Sequence, residues 1–165
     1  MEYRHLSHTF DPIYDGNSKV LILGSFPSVK SREQQFYYGH PQNRFWRVLS
    51  IILQCECPET IEQKRQMLLS NYIAVWDVIA ECDIIGSSDS SIKNVKVNPL
   101  NQIIKVCEIR KIYLNGATAA KLYREYSQEQ IKTECIQLPS TSPANAAYSI
   151  ERLCEQWAAV REALV

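Results

Sequence analysis

Two polar, proline-bearing stretches hold most of the residues in this chain whose types and spacing could do chemistry. The first runs from Gly24 to Arg44 and carries Ser25, Phe26, Ser28, Ser31, Phe36, Tyr37, Tyr38, His40 and Asn43. The second, Pro139 to Asn145, carries Ser140, Thr141 and Ser142 ahead of Asn145. These are short amide, hydroxyl and imidazole groups beside aromatic faces. An amide can orient a water or hold a polar edge, and glycine lets backbone approach a ligand closely. Dipoles fixed around a reacting centre supply much of what a hydrolytic transition state needs. No clear lysine nucleophile of the Schiff-base type is present. No Cys-x-x-Cys pair exists to start a metal or cluster site, so no metal and no cofactor is implied.

Strands and helices must position these groups. Val20-Leu21-Ile22-Leu23 reads as a strand buried on both faces, ended by Gly24. Pro41 suits a first helical turn, which predicts a helix from Pro41 to near Cys57 with Asn43 in its first turn. There the free N–H groups would favour negative charge. Further elements follow: a helix from Pro58 to Ser70, a strand from Tyr72 to Ile79 with Asp77 at its exit, and a long loop from Cys82 to Lys96 holding Asp89. Asn98-Pro99 reads as the start of a short helix reaching Cys107. Lys111–Leu114 and Glu134–Leu138 read as strands, and Ala117–Tyr126 and Ser149–Leu164 as helices. The alternation predicts a single domain over residues 1–165, a three-layer α/β/α fold around a central, mostly parallel sheet of about four strands. Residues 1–18 read as an arm in which His5 and His8 are solvated or partly packed. Both polar stretches then leave strand ends on one rim of the sheet, where open α/β folds bind ligands.

Composition narrows the classes. The 165 residues are 45% hydrophobic and 22% charged, with zero formal net charge. That balance argues against a histone-like nucleic-acid binder while leaving room for a local groove. No signal-type apolar core or membrane-length stretch is seen, so an intracellular, cytoplasmic protein without a membrane partner is expected. Cys55, Cys57, Cys82, Cys107, Cys135 and Cys154 are expected to be reduced and mostly buried.

The two stretches together resemble the uracil–DNA glycosylase superfamily. Gly24, Pro27 and Ser28 follow a strand and lead to Gly39-His40-Pro41-Gln42-Asn43-Arg44-Phe45-Trp46. Mismatch-specific glycosylases of that superfamily have a similar loop and H-P-x-N-R-F-W at the same offset. Ser140-Thr141-Ser142-Pro143-Ala144-Asn145 corresponds to the superfamily's second motif. With Trp76-Asp77-Val78 and Leu114-Asn115-Gly116, the pattern looks most like the hypoxanthine–DNA (deoxyinosine) glycosylase branch. Two departures stand out. Phe26 occupies the position of the mismatch glycosylases' water-activating asparagine, and Ser140 that of a histidine. Cluster-bearing members use cysteine spacings that this chain lacks.

The resemblance implies an enzyme of base excision repair acting on DNA that contains a deaminated base; the lack of a Schiff-base lysine predicts that it is monofunctional, and a monomer is expected. The resemblance assigns catalysis to Asn43, which would position the attacking water. Gly24, Ser25, Phe26, Phe36, Tyr38 and His40 would hold the extruded base. Ser28, Ser31, Ser140, Ser142 and Asn145 would grip the DNA backbone, with Arg44 and Lys30 adding local positive charge. Hypoxanthine is the expected base. Removal of uracil or mismatched thymine is the competing activity, and non-catalytic binding of damaged DNA or a nucleotide the competing class.

Overall fold

The computed structural model describes residues 2–165. Its frame is a four-stranded parallel sheet in the order β3-β2-β6-β7. These strands are β2 (Val20–Gly24), β3 (Ile73–Asp77), β6 (Lys111–Asn115) and β7 (Cys135–Leu138). β2 and β3 are buried at every position, as their unbroken apolar runs require. Ile13 bridges antiparallel to Val75 and covers the outer edge of β3.

Helices pack against this sheet. α3 (Ile61–Ser70) contacts β3, and α5 (Ala117–Tyr126) contacts β6 and β7. α2 (Phe45–Leu53) packs on α6 (Ile150–Leu164), which reaches β2. Trp157 of α6 is fully buried, stands edge-on to Phe45 at 5.9 Å and donates Nε1–H to Pro139 O at 2.9 Å. One side chain thus ties α6, α2 and the exit of β7 together.

Sequence misses a second sheet. β1 (Arg4–Ser7), β4 (Ile79–Ile84) and β5 (Lys93–Val97) form an antiparallel sheet in the order β1-β4-β5. Its members come from the expected N-terminal arm, from the end of the expected second strand with the residues that follow it, and from the expected long loop. β1 is mostly exposed and polar, and β5 offers only Val95 and Val97 around an exposed Lys96, too short an alternation to mark a strand. Backbone pairing and His5, which bonds Glu81 and Asp83, hold β1 in place.

Other departures are local. The Gly24–Gly39 loop contains α1 (Val29–Gln34), capped by Ser28. α2 starts at Phe45 and not at Pro41, because residues 40–43 close a turn: Asn43 N–H donates to His40 O and Gln42 N–H to His40 Nδ1. α4 (Asn101–Ile104) does not use Asn98 as its cap. Asn98 instead donates to Asp77 O at 2.8 Å and Ile79 O at 3.1 Å, fastening the β3–β4 corner. All six cysteines are free, and only Cys82 and Cys107 are buried, so the thiols are less buried than expected.

Trp157→Ala should remove about 3–5 kcal/mol of stability, the usual penalty for an emptied aromatic site. The urea midpoint checks this; a loss below about 1 kcal/mol would show that the three elements do not depend on the indole.

Candidate active site

The parallel register sets four strand exits side by side. Asp77 ends β3, Gly24 ends β2, Asn115 ends β6, and Ser140 follows β7. Above them lies a cavity of about 510 Å³ whose walls include Gly24, Tyr38, His40, Asn43, Asp77 and Thr141. This volume is within the range of small-molecule sites, roughly 300–1,000 Å³.

Asn43 stands at the end of a determined chain of hydrogen bonds. Asn115 Oδ1 accepts from Thr141 N–H at 3.1 Å, which fixes Asn115 Nδ2 as the donor to Thr141 Oγ1 at 3.1 Å. The Thr141 hydroxyl must then donate onward, and it meets Asn43 Oδ1 at 2.8 Å. That same oxygen accepts from Phe45 N–H at 3.0 Å. Backbone donors at both ends set every amide orientation, so no flip ambiguity is left. Both lone pairs of the Asn43 carbonyl are occupied. Its two Nδ2 hydrogens are the remaining polar capacity of a cavity-lining residue. From sequence Asn43 sits in a helical first turn; in the structure it lies just ahead of α2 as an Asx turn. At the α2 terminus Asn43 takes Phe45 N–H and Thr141 O takes Arg44 N–H.

His40 is a second donor. Its Nδ1 accepts from Gln42 N–H at 3.1 Å, which places the ring proton of the neutral imidazole on Nε2. The Tyr38 hydroxyl is a third: it is buried without a partner, at a residue held at φ 50° and stacked on Phe45 at 3.9 Å. Burial and the nearby Asp77 carboxylate push its pKa far up, so it stays a neutral donor. Asp77 is the acceptor. His8 Nε2 bonds its Oδ2 at 2.9 Å, with both side chains almost wholly buried. Gly24 makes room here, since a Cβ on it would stand 2.5 Å from Asp77 Oδ1 and 3.0 Å from the Tyr38 oxygen.

The remaining expected residues divide. Ser25 and Phe26 line the cavity, the latter edge-on to His8 at 6.4 Å. Phe36 does not: it is buried, stacked on Trp46 at 6.1 Å and covered by Arg65. A correction follows, that Phe36 is a core anchor and holds no ligand. Ser28, Ser31, Ser140 and Ser142 line the cavity, whereas Asn145 lines the adjoining groove along the start of α5. Ser31 is buried, its Oγ bonded to Gly39 N–H at 2.9 Å, so it holds the loop. Ser140 and Ser142 accept from Ser142 N–H and Ala144 N–H and keep their own protons to donate. Arg44 faces inward: its guanidinium donates to Tyr148 O, Ser142 O and Asn145 O, clamping the second-motif loop. Its charge stays, but those N–H groups are committed to the loop and do not reach a ligand. Asp89 closes the rim, accepting from Ser25 Oγ at 3.3 Å, and burial raises its pKa. Lys30 also lines the cavity and pairs with Glu33 at 3.4 Å.

Sequence did not single out Thr141 or Asn115, and took His8 as a bystander. The Leu114-Asn115-Gly116 motif marked the position of Asn115 but not its use. Nothing local distinguishes Thr141 from the serines around it.

The model of the uracil DNA glycosylase superfamily matches residues 12–164. The chain belongs to that superfamily. A hypoxanthine DNA glycosylase of Methanosarcina acetivorans is 35% identical over 153 residues, spanning 92% of this chain and 95% of its own length. Another from Methanosarcina barkeri is 39% identical over 109 residues, spanning 65% of this chain and 69% of its own. The solution NMR structure of a candidate uracil DNA glycosylase from M. acetivorans superposes with a TM-score of 0.80 at 34% identity, covering 94% and 96% of the two chains. Within this superfamily member, no group of three or more His, Cys, Asp or Glu side chains among the described residues could hold a metal ion. Among the described residues no helix is long and apolar enough to cross a membrane.

Gly24→Ala tests the crowding at the strand exits. The Asp77 side chain is pinned by His8 and cannot yield easily. Single-turnover base release should fall at least tenfold with the protein still folded by circular dichroism; an unchanged rate would mean the cavity floor is not where base is held.

Proposed function

We propose that this superfamily member is a monofunctional DNA glycosylase that hydrolyses the N-glycosidic bond of deoxyinosine, the first step of base excision repair. One observation carries the mechanistic part: the Asn115–Thr141–Asn43 chain leaves Asn43 facing the cavity as a donor only. Sequence assigns the attacking water to Asn43. Activating a water requires an acceptor for its proton, and the Asn43 carbonyl is fully occupied. A fixed amide N–H suits the other half of the reaction.

When the bond to the sugar breaks, its electron pair goes to the base. Hypoxanthine carries acceptors at O6, N7 and N3 on which that charge spreads. Asn43 Nδ2–H, with His40 Nε2–H and the Tyr38 hydroxyl beside it, stabilises the departing base. Donors fixed before the reaction need no reorganisation, and removing one such donor typically lowers the rate about 10²–10³-fold. Phe26 gives the extruded base a face to stack on. In this reading Lys30 stays in its surface pair with Glu33 and takes no covalent part, so the product is an uncut abasic site.

Two experiments test this reading. Duplexes containing one deoxyinosine, deoxyuridine or mismatched thymidine should yield strand breaks at deoxyinosine, and only after alkali; breaks mainly at uracil would shift the substrate, and breaks without alkali would end the monofunctional assignment. Asn43→Ala should lose about 10²-fold in single-turnover rate. Asn43→Asp should lose nearly as much, because it keeps the acceptor and removes the donors; near wild-type activity for it would restore the water-positioning role. Thr141→Val should cost at least tenfold in kcat with KM little changed, and Thr141→Ser should recover most of it. Equal losses in both would mean that Thr141 acts only in packing.

A further inference from the structure

The cavity's donors serve the departing base and leave the other reactant, the water, without a partner. An attacking water needs an acceptor for its proton, and most acceptors in the cavity wall are already bonded. The Asn43 carbonyl takes Phe45 N–H and the Thr141 hydroxyl. His40 Nδ1 takes Gln42 N–H, and Asn115 Oδ1 takes Thr141 N–H. The serine hydroxyls are too weakly basic, and the Phe26 side chain has no acceptor. Asp77 is held by His8 among the strand exits. One further carboxylate lines the cavity, that of Asp89.

Asp89 opens a short 3-10 turn (Asp89–Ser91) between β4 and β5, outside both polar stretches singled out in the sequence. It borders the cavity and also the adjoining groove at the start of α5, which puts it at the mouth where the two meet. Its carrier is tied down. Ser87 Oγ accepts from Val29 N–H at 3.0 Å, and Arg32 donates to Gly86 O at 3.2 Å. Ser91 Oγ accepts from Ile85 N–H at 2.9 Å and donates to Ser88 O at 2.7 Å. The Ser25 hydroxyl donates to Asp89 Oδ1 at 3.3 Å, and the Thr118 hydroxyl also faces the carboxylate. An ionised carboxylate has about four lone-pair sites, so acceptor capacity is left for a water.

A base seated on the cavity floor places its sugar at this mouth. We infer that Asp89 is the general base of the hydrolysis, orienting the attacking water and taking its proton. The inference rests on the glycosylase reading of the cavity. As the bond from C1′ to the base breaks, its electron pair goes to the base, beside the Asn43, His40 and Tyr38 hydrogens. The water oxygen bonds C1′ and gives one proton to Asp89, which passes it to solvent. The released base anion takes a proton from solvent, so no further reactant is needed. Burial, with the Asp77 charge adding to it, raises the Asp89 pKa against the pull of the two hydroxyls and makes it a better proton acceptor than an ordinary aspartate. Asp77, Cys82, Lys30 and His40 are the other titratable groups around it, and Arg32 holds its loop.

The test separates chemistry from binding. Single-turnover rates on a deoxyinosine duplex are measured across pH, and affinity is measured for a duplex holding uncleavable 2′-fluorinated deoxyinosine. Asp89→Asn, which keeps the side-chain volume, should lose about 10²-fold in rate. Its affinity should hold or tighten, because a negative charge near the DNA is removed. The wild-type rate should fall as pH drops through the Asp89 pKa, since only the ionised form accepts a proton; Asp89→Asn should lack that limb, and Asp89→Glu should recover part of both rate and limb. A rate in Asp89→Asn within about threefold of wild type overturns the inference. So does an acid limb unchanged in that variant, which moves the base to another group. Equal losses of rate and affinity overturn it as well, because Asp89 would then only shape the mouth. Wild-type cleavage with a fully active Asp89→Asn leaves the glycosylase reading standing alone, whereas a wild-type protein that yields no abasic product ends both.

Discussion

Two backbone N–H groups, those of Phe45 and Thr141, decide what this cavity can do. Each forces the neighbouring amide to turn its carbonyl inward, and the Thr141 hydroxyl between them can then point only one way. The side chain that reaches the cavity is thereby defined in orientation and in hydrogen-bonding sense. This chain links three separate parts of the fold: the exit of β6, the loop after β7 and the turn before α2. Trp157 and Arg44 reinforce the same junction, the first from the core and the second by clamping the 142–148 loop. Catalytic preorganisation here follows from satisfying buried polar groups, which the protein must do in any case.

The second sheet makes sense in the same terms. A four-stranded parallel sheet can bring Asp77 and Gly24 together through the β2–β3 register, but it leaves the acid without a partner. An unpaired buried carboxylate is costly. Folding the N-terminal segment onto β4 supplies His8 and its aromatic surround. The short, polar, mostly exposed β1 and β5 contribute little core of their own. Their value lies in what they deliver to the floor of the cavity.

Much of this was legible in the sequence, and the pattern of what was not is informative. Apolar runs buried on both faces, such as Val20–Leu23 and Lys111–Leu114, marked the parallel strands, and amphipathic spacing with a serine cap marked α6. Both functional loops followed from strand ends rich in small polar residues. The lost elements are those whose formation depends on distant partners: β1 has no hydrophobic period, and β5 pairs through backbone with irregular register. Pro41 and Asn98-Pro99 misled because proline fixes φ for a turn as well as for a helix start. Asn98 was needed elsewhere, as a clasp on two carbonyls. Phe36 and Tyr38 share a short aromatic run, yet only Tyr38 lines the cavity, and only tertiary packing separates them.

Charge gives the final constraint. The chain is neutral overall, its cavity contains Asp77 and Asp89, and Arg44 is committed to backbone carbonyls. Zero net charge gives the molecule as a whole no long-range pull on a polyanion. The Ser140 and Ser142 hydroxyls, each already oriented by a backbone N–H, are neutral donors in the cavity wall. In the proposed reading such donors would position a strand without dominating its affinity. In that reading discrimination would fall to the floor of the cavity, where a base that fails to match the polar groups there leaves them buried and unpaired. Weak general attraction and a demanding interior are complementary: the first lets undamaged DNA be released, and the second makes the extruded base the entity that is recognised.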